Sequence, residues 1–196
     1  MKLHLVRHGL ALDADGRAMG HTDAPLSPEG IEQVARLVAA WPRAPRRIWS
    51  SDLRRARETA EPIGRRWDVA PAVDARLREM NFGEWDGRFW NALEREDPDR
   101  LKHWMESWVT ERVPGGESFT LLSERVRDWY SQCLANPAEE IVVVAHAGSI
   151  RALLCHLLEV PLSKAFEFPV DRLRISTVEI GESGARLLAL NGPEVL

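Results

Sequence analysis

The sequence predicts an α/β protein in which strands and helices alternate around a central sheet. The clearest strand, residues 141–145, is continuously apolar, which is typical of a strand covered on both faces. A second apolar strand covers residues 3–6, and a histidine and a glycine follow each of the two strands. Ligands bind outside the carboxyl ends of strands in open α/β sheets, so these two strand ends indicate one shared site.

The first strand is followed by a long loop and a helix. Residues 10–26 contain glycines and aspartates but no helical or strand period, which predicts a loop. Ser27 is predicted to cap the helix, with Pro28 at its first position. The helix is predicted to bury one stripe of side chains and to end at two prolines; these are Ile31, Val34, Ala35, Val38 and Trp41, then Pro42 and Pro45.

A second strand at residues 47–50 leads into a helix that is predicted to begin at Ser51-Asp52. Three arginines lie near the start of this helix. Arg54 points away from the apolar stripe, whereas Arg55 and Arg57 both flank it, so periodicity does not choose between these two. Arg55 lies in the first turn, nearest the strand end, and that position favours it as a site residue.

The whole chain, residues 1–196, is predicted to form one domain, with an insertion over the sheet at about residues 83–117. The insertion contains four of the eight tryptophans, Trp85, Trp90, Trp104 and Trp108. The other predicted elements, in order, are a strand at 69–74, irregular chain at 77–87, helices at 89–96, 101–109, 118–134 and 147–158, and strands at 175–180 and 186–190.

Composition narrows the class of protein. A formal net charge of −4 disfavours a general nucleic-acid binder. No apolar run reaches the roughly 18 residues of a membrane span, and the N-terminus does not resemble a signal peptide. Cys133 and Cys155 lie in predicted helices and are expected to be buried, reduced thiols, so a cytoplasmic protein is expected.

The strand-end residues suit phosphoryl chemistry. Arg7 and Arg55 would bind phosphate oxygens bidentately, and a neutral His8 among cations would keep a lone pair for attack on phosphorus. Glu79, in irregular chain, is the best-placed acid to protonate a leaving alkoxide. Taken singly, each residue has an ordinary structural explanation, such as a polar strand end or a solvated helix face. Their combination in order favours an active site.

Six stretches resemble, in order, the motifs of the histidine phosphatase superfamily, in the branch that includes cofactor-dependent phosphoglycerate mutases. Six ordered matches spanning residues 3 to about 180 make the resemblance highly specific. The stretches are LVRHG at 5–9, GHTDAPLS at 20–27, SSDLRRA at 50–56, EMNFG at 79–83, PGGES at 114–118 and VAHAG at 144–148.

The resemblance implies a three-layer α/β/α fold with a mainly parallel sheet and a phosphohistidine intermediate, without metal or cofactor. It implies that His8 is the nucleophile, that Glu79 is the proton donor and that His146 binds phosphate and stabilises the transition state. The remaining implied positions bind phosphate or substrate: Arg7, Arg55, Gly20, His21, Thr22 and Gly148.

The chain departs from the family beside the nucleophile. Many members have an asparagine that contacts phosphate several residues after the Arg-His-Gly motif, whereas Asp13 lies near that place here. A carboxylate would repel phosphate, so Asp13 is expected to point elsewhere.

The substrate is expected to be a small phosphoester bound by a monomer or homodimer, without nucleic-acid or membrane partners. The compact length and motifs most resemble α-ribazole phosphatases of cobalamin synthesis, which implies α-ribazole 5′-phosphate. A broad-specificity phosphatase is the alternative. A mutase is disfavoured, because the mutases resembled carry a C-terminal tail over the site and this chain ends six residues after its last predicted strand.

Two further alternatives come from other classes. One is a metallohydrolase using His8, His146 and carboxylates. It is disfavoured because the histidines lack a short ligand spacing and because Arg7 and Arg55 would repel a metal. The other is a non-catalytic module that binds a phosphorylated ligand. The tryptophan-rich insertion could stack on a planar leaving group, or it could be a hydrophobic lid or core.

Overall fold

A computed structural model describes residues 1–41 and 43–192. Strands and helices alternate along this part of the chain, as the sequence predicts. The elements are β1 (Lys2–Arg7), α1 (Pro28–Ala40), β2 (Arg47–Ser50), α2 (Arg54–Trp67), β3 (Ala72–Val73), α3 (Trp90–Glu96), α4 (Pro98–Ser107), α5 (Phe119–Ala135), β4 (Glu140–Ala145), α6 (Ala147–Leu157), β5 (Ile175–Gly181) and β6 (Gly184–Gly192).

The six strands form one sheet in the order β3-β2-β4-β1-β5-β6. The pairs β3–β2, β2–β4 and β4–β1 are parallel, whereas β5 runs antiparallel to both of its neighbours. Arg7 pairs with Ala145 and Ser50 pairs with Val144, so the carboxyl ends of β1, β2 and β4 meet at one edge. The predicted α/β fold with a mainly parallel sheet is confirmed.

Alternating side chains of the sheet build a core on each face. Leu3 and Leu5 of β1 belong to a buried cluster with α5 and α6, whereas Val6 belongs to a second cluster with α1 and α2. Helices therefore cover both faces of the central strands, and this explains why β4 is apolar at consecutive positions.

Helix α1 begins as predicted, with the Ser27 hydroxyl accepting a hydrogen bond from the Gly30 amide at 3.0 Å. The predicted stripe is partly wrong, because Ile31 is 57% exposed and Leu37 is fully buried. The first turn presses against the loop before it, where a Cβ on Gly30 would lie 2.2 Å from the Leu10 carbonyl oxygen. This contact turns Gly30, rather than Ile31, inward. Pro42, predicted to terminate the helix, lies outside the described residues.

Helix α2 begins at Arg54, three residues later than predicted. Ser51 still belongs to the sheet edge, since its amide donates to the Val144 carbonyl at 3.0 Å. The third strand is also shorter than the predicted 69–74 and comprises only Ala72–Val73. The Val69 amide donates to the Gly64 carbonyl at 3.0 Å and so closes the end of α2 instead of joining the sheet.

Residues 83–117 carry a short 3-10 helix, Gly83–Trp85, followed by α3 and α4. Their aromatic rings pack together: Trp90 stacks on Trp104 at 6.2 Å, and both rings meet Phe82 edge to face. Trp85 is buried beneath them. This stretch packs against the core that also contains α5 and α6.

Both cysteines are buried free thiols, as predicted, and burial raises the pKa of each. Within residues 1–41 and 43–192, no helix combines the length and apolar character that crossing a bilayer requires.

Candidate active site

A cleft of about 310 Å³ opens at the carboxyl ends of the parallel strands. Four residues that the sequence predicts for the site line it, namely Arg7, His8, Arg55 and Glu79. The other lining residues come from the loop after β1, from the aromatic cluster and from the chain before β5; they are Ala11, Ala14, Asp15, Gly16, Arg17, Met19, Phe82, Trp90 and Arg172.

The hydrogen bonds of the His8 imidazole leave its Nε2 nitrogen unprotonated. Its Nδ1 lies 2.7 Å from the Gly9 carbonyl oxygen, to which only a protonated Nδ1 can donate. The Nε2 lone pair then accepts a hydrogen bond from Arg55 Nε at 3.2 Å. Burial, followed by the charges of Arg55 and Arg7, lowers the pKa of His8 well below 6.5. His8 is therefore a neutral base with a defined lone pair at neutral pH.

His146 directly follows β4 and lies against His8, with ring centroids 4.9 Å apart. Its side chain is fully buried, and neither ring nitrogen has a hydrogen-bond partner among the described residues. Burial, together with Arg55 and His8, lowers the pKa of His146 well below 6.5. Buried polar groups are normally paired, so His146 offers an unused donor and acceptor beside His8.

Arg55 is fully buried and organises the loop after β1 around His8. Its Nη1 donates to the Thr22 carbonyl at 2.6 Å, and its Nη2 donates to the Gly20 carbonyl at 2.7 Å. Thr59, one turn later in α2, accepts from the Gly9 amide at 3.1 Å and donates to the Arg55 carbonyl at 2.8 Å. The backbone next to His8 and the Arg55 side chain are thus held by the same helix.

Arg7 and Glu79 lie at the edge of the cleft. Arg7 Nη1 donates to the Val170 carbonyl at 2.8 Å, while its buried Nε has no partner among the described residues. The Glu79 carboxylate accepts from the Gly148 amide at 3.0 Å and from the Met80 amide at 2.9 Å. A Cβ on Gly148 would lie 2.2 Å from Glu79 Oε1, so this close approach requires glycine.

The Gly20-His21-Thr22 segment surrounds the site without lining the cleft. The carbonyls of Gly20 and Thr22 hold Arg55, and His21 Nε2 lies 3.0 Å from the Glu79 carbonyl. The substrate-binding role predicted for these three residues and for Gly148 stays a prediction. The contacts place the segment as support for Arg55 and Glu79.

Several site residues are not predicted from the sequence. The Asp86 carboxylate accepts hydrogen bonds from the amides of Gly20, His21 and Thr22 and so fixes that segment. Arg125 donates to the Glu79 carbonyl at 2.8 Å and pairs with Glu117 of the PGGES motif. The motif is the one sequence signal that points toward Arg125, whereas nothing in the pattern marks Asp86.

Asp13 is exposed and does not line the cleft, and its backbone adopts a φ of +53°. The acidic and basic groups that the same loop brings to the cleft are those of Asp15 and Arg17. Arg17 is held by the Gly87 carbonyl at 2.7 Å and by the Phe89 ring. Within the described residues, no three His, Cys, Asp or Glu side chains converge as metal ligands.

The buried pair of site histidines, His8 and His146, should make the folded state less stable at mildly acidic pH. Below a pH of about 6.5 the unfolded chain binds protons that the folded chain excludes, so each histidine costs up to about 1.4 kcal/mol of unfolding free energy per pH unit. The loss begins as the pH falls through the unfolded pKa and continues down to the lowered folded pKa. Urea denaturation at pH 7, 6 and 5 measures it.

The matched variant for this measurement is His146→Gln, which removes one histidine of this pair. Its unfolding free energy should depend less steeply on pH, by about one bound proton. Identical slopes for the wild-type protein and the variant would show that His146 is protonated equally in the folded and unfolded chains.

The chain is similar over nearly its whole length to proteins that are named as phosphatases. The chain is 32% identical to an adenosylcobalamin/alpha-ribazole phosphatase of Salmonella typhimurium, over all of this chain and 98% of the relative. It superposes on the crystal structure of the alpha-ribazole phosphatase from Shigella flexneri with a TM-score of 0.91 and 29% identity, covering 100% and 98% of the two chains.

A mycobacterial glucosyl-3-phosphoglycerate phosphatase is also similar, with a TM-score of 0.87, 28% identity and coverage of 98% of this chain and 99% of the other. The sequence pattern of branch 1 of the histidine phosphatase superfamily matches residues 3–193. The resemblance found in the sequence is therefore confirmed: this chain belongs to the histidine phosphatase superfamily.

Proposed function

We propose that this phosphomonoesterase works through a phosphohistidine formed on His8 and that its substrate is α-ribazole 5′-phosphate. The observation that carries the mechanism is the state of His8. Its Nδ1 is tied to the Gly9 carbonyl, and its Nε2 lone pair lies among buried cations. A neutral imidazole fixed in this way is prepared to attack an anionic phosphoryl group.

In the first step His8 Nε2 forms a bond to phosphorus, and the bond between phosphorus and the leaving-group oxygen breaks. A phosphoryl oxygen takes the Arg55 Nε hydrogen bond that the Nε2 lone pair accepts in the free enzyme. Arg7 Nε and a ring nitrogen of His146, both unpartnered, supply further donors. Such fixed donors, placed where charge accumulates, usually make the largest contribution to phosphoryl transfer.

The departing oxygen needs a proton, which the Glu79 carboxyl group donates. In the second step a water attacks phosphorus, the bond between phosphorus and Nε2 breaks, and Glu79 takes a proton from that water. The enzyme returns to its starting state and releases inorganic phosphate. The amides of Gly148 and Met80 support this role because they hold the carboxyl group at the cleft edge.

Glu79→Gln should lower kcat by roughly 10²-fold for alkyl phosphates, because their leaving alkoxides need a proton. The loss should be only a few-fold for nitrophenyl phosphate, whose phenolate leaves without one. Steady-state kinetics with both substrates measure the difference, and Glu84→Gln, at an exposed glutamate, is the matched control. An equal loss with both substrates would remove Glu79 from the proton-donor role.

Two observations support the substrate. The Salmonella and Shigella relatives are named as α-ribazole phosphatases, and this chain matches them over nearly their full length. In addition, Phe82 and Trp90 line the cleft, with Trp90 braced by Trp104 behind it. A rigid aromatic wall suits a leaving group that carries a planar base.

A phosphatase screen tests the substrate, using α-ribazole 5′-phosphate, phosphoglycerates, phosphoserine, nucleotides and sugar phosphates. We expect the highest kcat/KM for α-ribazole 5′-phosphate and equal rates with and without a chelator. Similar kcat/KM values across the panel would indicate a broad-specificity phosphatase. Phosphate binding without turnover of any compound would indicate a non-catalytic binding module.

A further inference from the structure

Arg172 reaches the cleft from the chain just before β5, through an unusual backbone conformation. The next residue, Leu173, is buried and has a φ of +59°, a region that leucine rarely adopts. Its amide donates to the Arg7 carbonyl at 2.9 Å, which joins this segment to the end of β1. Strain of this kind is concentrated at functional sites. Here it brings the Arg172 side chain to the cleft beside Arg7.

The Arg172 guanidinium is only partly engaged. Its buried Nε has no hydrogen-bond partner among the described residues, and its Nη2 lies 3.2 Å from Asp15 Oδ1. Asp15 is 82% exposed, so solvent weakens this ion pair. Arg172 therefore retains donors for an anion that enters the cleft, and the weakly held carboxylate is easily displaced.

Building on the proposed function, we propose that Arg172 is a further phosphoryl-binding residue and that Asp15 holds its guanidinium until the phosphoryl group arrives. Nε and one Nη would donate to a non-bridging oxygen on the side of Arg7. The positive charge of Arg172 also contributes, after burial, to lowering the pKa of Arg7 and of His8.

Inorganic phosphate is the direct probe, because its binding does not depend on turnover. Charge-assisted hydrogen bonds to a phosphate are worth about 1.5–3 kcal/mol, so Arg172→Gln should weaken phosphate binding by roughly 10- to 100-fold. Arg174→Gln, which removes the same charge two residues away at a position outside the cleft lining, should leave the affinity within about twofold. Titration calorimetry measures both variants. Equal affinities in Arg172→Gln and the wild-type protein would overturn the proposal.

Asp15→Asn provides a second test that does not disturb folding, since the side chain is at the surface. Releasing Arg172 should tighten phosphate binding about threefold, in line with a weak exposed pair. In the Arg172→Gln background the same change should give no comparable gain, since the two residues are coupled. A gain of the same size in both backgrounds would show that Asp15 acts only by general repulsion, and it would overturn the proposed pairing.

The His8→Ala variant separates this proposal from the proposed function. A loss of turnover in His8→Ala with unaltered phosphate affinity in Arg172→Gln would overturn the role of Arg172 alone. Normal turnover in His8→Ala would overturn the phosphohistidine mechanism, whereas the phosphate affinity of Arg172→Gln would still decide the binding role.

Discussion

Replacing His8 by alanine should lower kcat by roughly 10⁴-fold or more, the size of loss expected when a covalent nucleophile is removed. Among the described residues, only the His8 imidazole places an unprotonated nitrogen against the Arg55 side chain in the cleft. Arg7, Arg55 and His146 remain in the variant and would still bind phosphate. The loss should therefore fall on kcat while inorganic phosphate continues to bind.

The intermediate can be trapped directly. Brief reaction of the wild-type protein with a labelled phosphoester, followed by quenching, should leave acid-labile and alkali-stable phosphate on His8. His8→Ala should carry no label, whereas His103→Ala, at an exposed histidine outside the cleft, should be labelled and active like the wild-type protein. Full turnover by His8→Ala would exclude the phosphohistidine route, and a thermal melt shows whether each variant is folded.

Much of the fold was accessible from local patterns. The apolar run at residues 141–145 predicted a strand that is covered on both faces. The order of strand, histidine and glycine predicted that His8 and His146 would meet at one edge of the sheet. The errors came from contacts distant in sequence. Ile31 has the right spacing for the buried stripe of α1, yet the Leu10 carbonyl packs against Gly30 and turns the helix so that Leu37 is buried instead.

The residues of the candidate site likewise fall into those that can be predicted from the sequence and those that cannot. Residues next to strand ends or inside compact motifs, such as Arg7 and Glu79, can be found from the sequence because their position follows from the element that carries them. Arg172 cannot, since its approach to Arg7 depends on a positive φ at Leu173 and on a hydrogen bond across 166 positions of the chain. Asp86 likewise cannot be distinguished from other acidic residues in the sequence. Only the fold shows that it lies against the Gly20–Thr22 segment.

Arg55→Lys should lower kcat/KM by roughly 10³-fold and the unfolding free energy by about 2 kcal/mol. Lysine keeps the charge but cannot reproduce a fork that donates at once to His8 Nε2, to the Gly20 carbonyl and to the Thr22 carbonyl. The buried carbonyls would lose their donors, and the loop around the nucleophile would lose its anchor. Activity and stability should therefore fall together.

Arg57→Lys is the matched control, because hydrophobic periodicity in α2 treats Arg55 and Arg57 alike. Arg57 is half-buried and donates from its Nε to the Asp52 carbonyl at 3.0 Å, away from the cleft lining. Its replacement should change kcat/KM by less than about twofold and the unfolding free energy by less than about 0.5 kcal/mol. Steady-state kinetics of both variants measure kcat/KM, and urea denaturation measures their unfolding free energies. If the two substitutions had equal effects, the fork at Arg55 would contribute no more to catalysis than a surface charge.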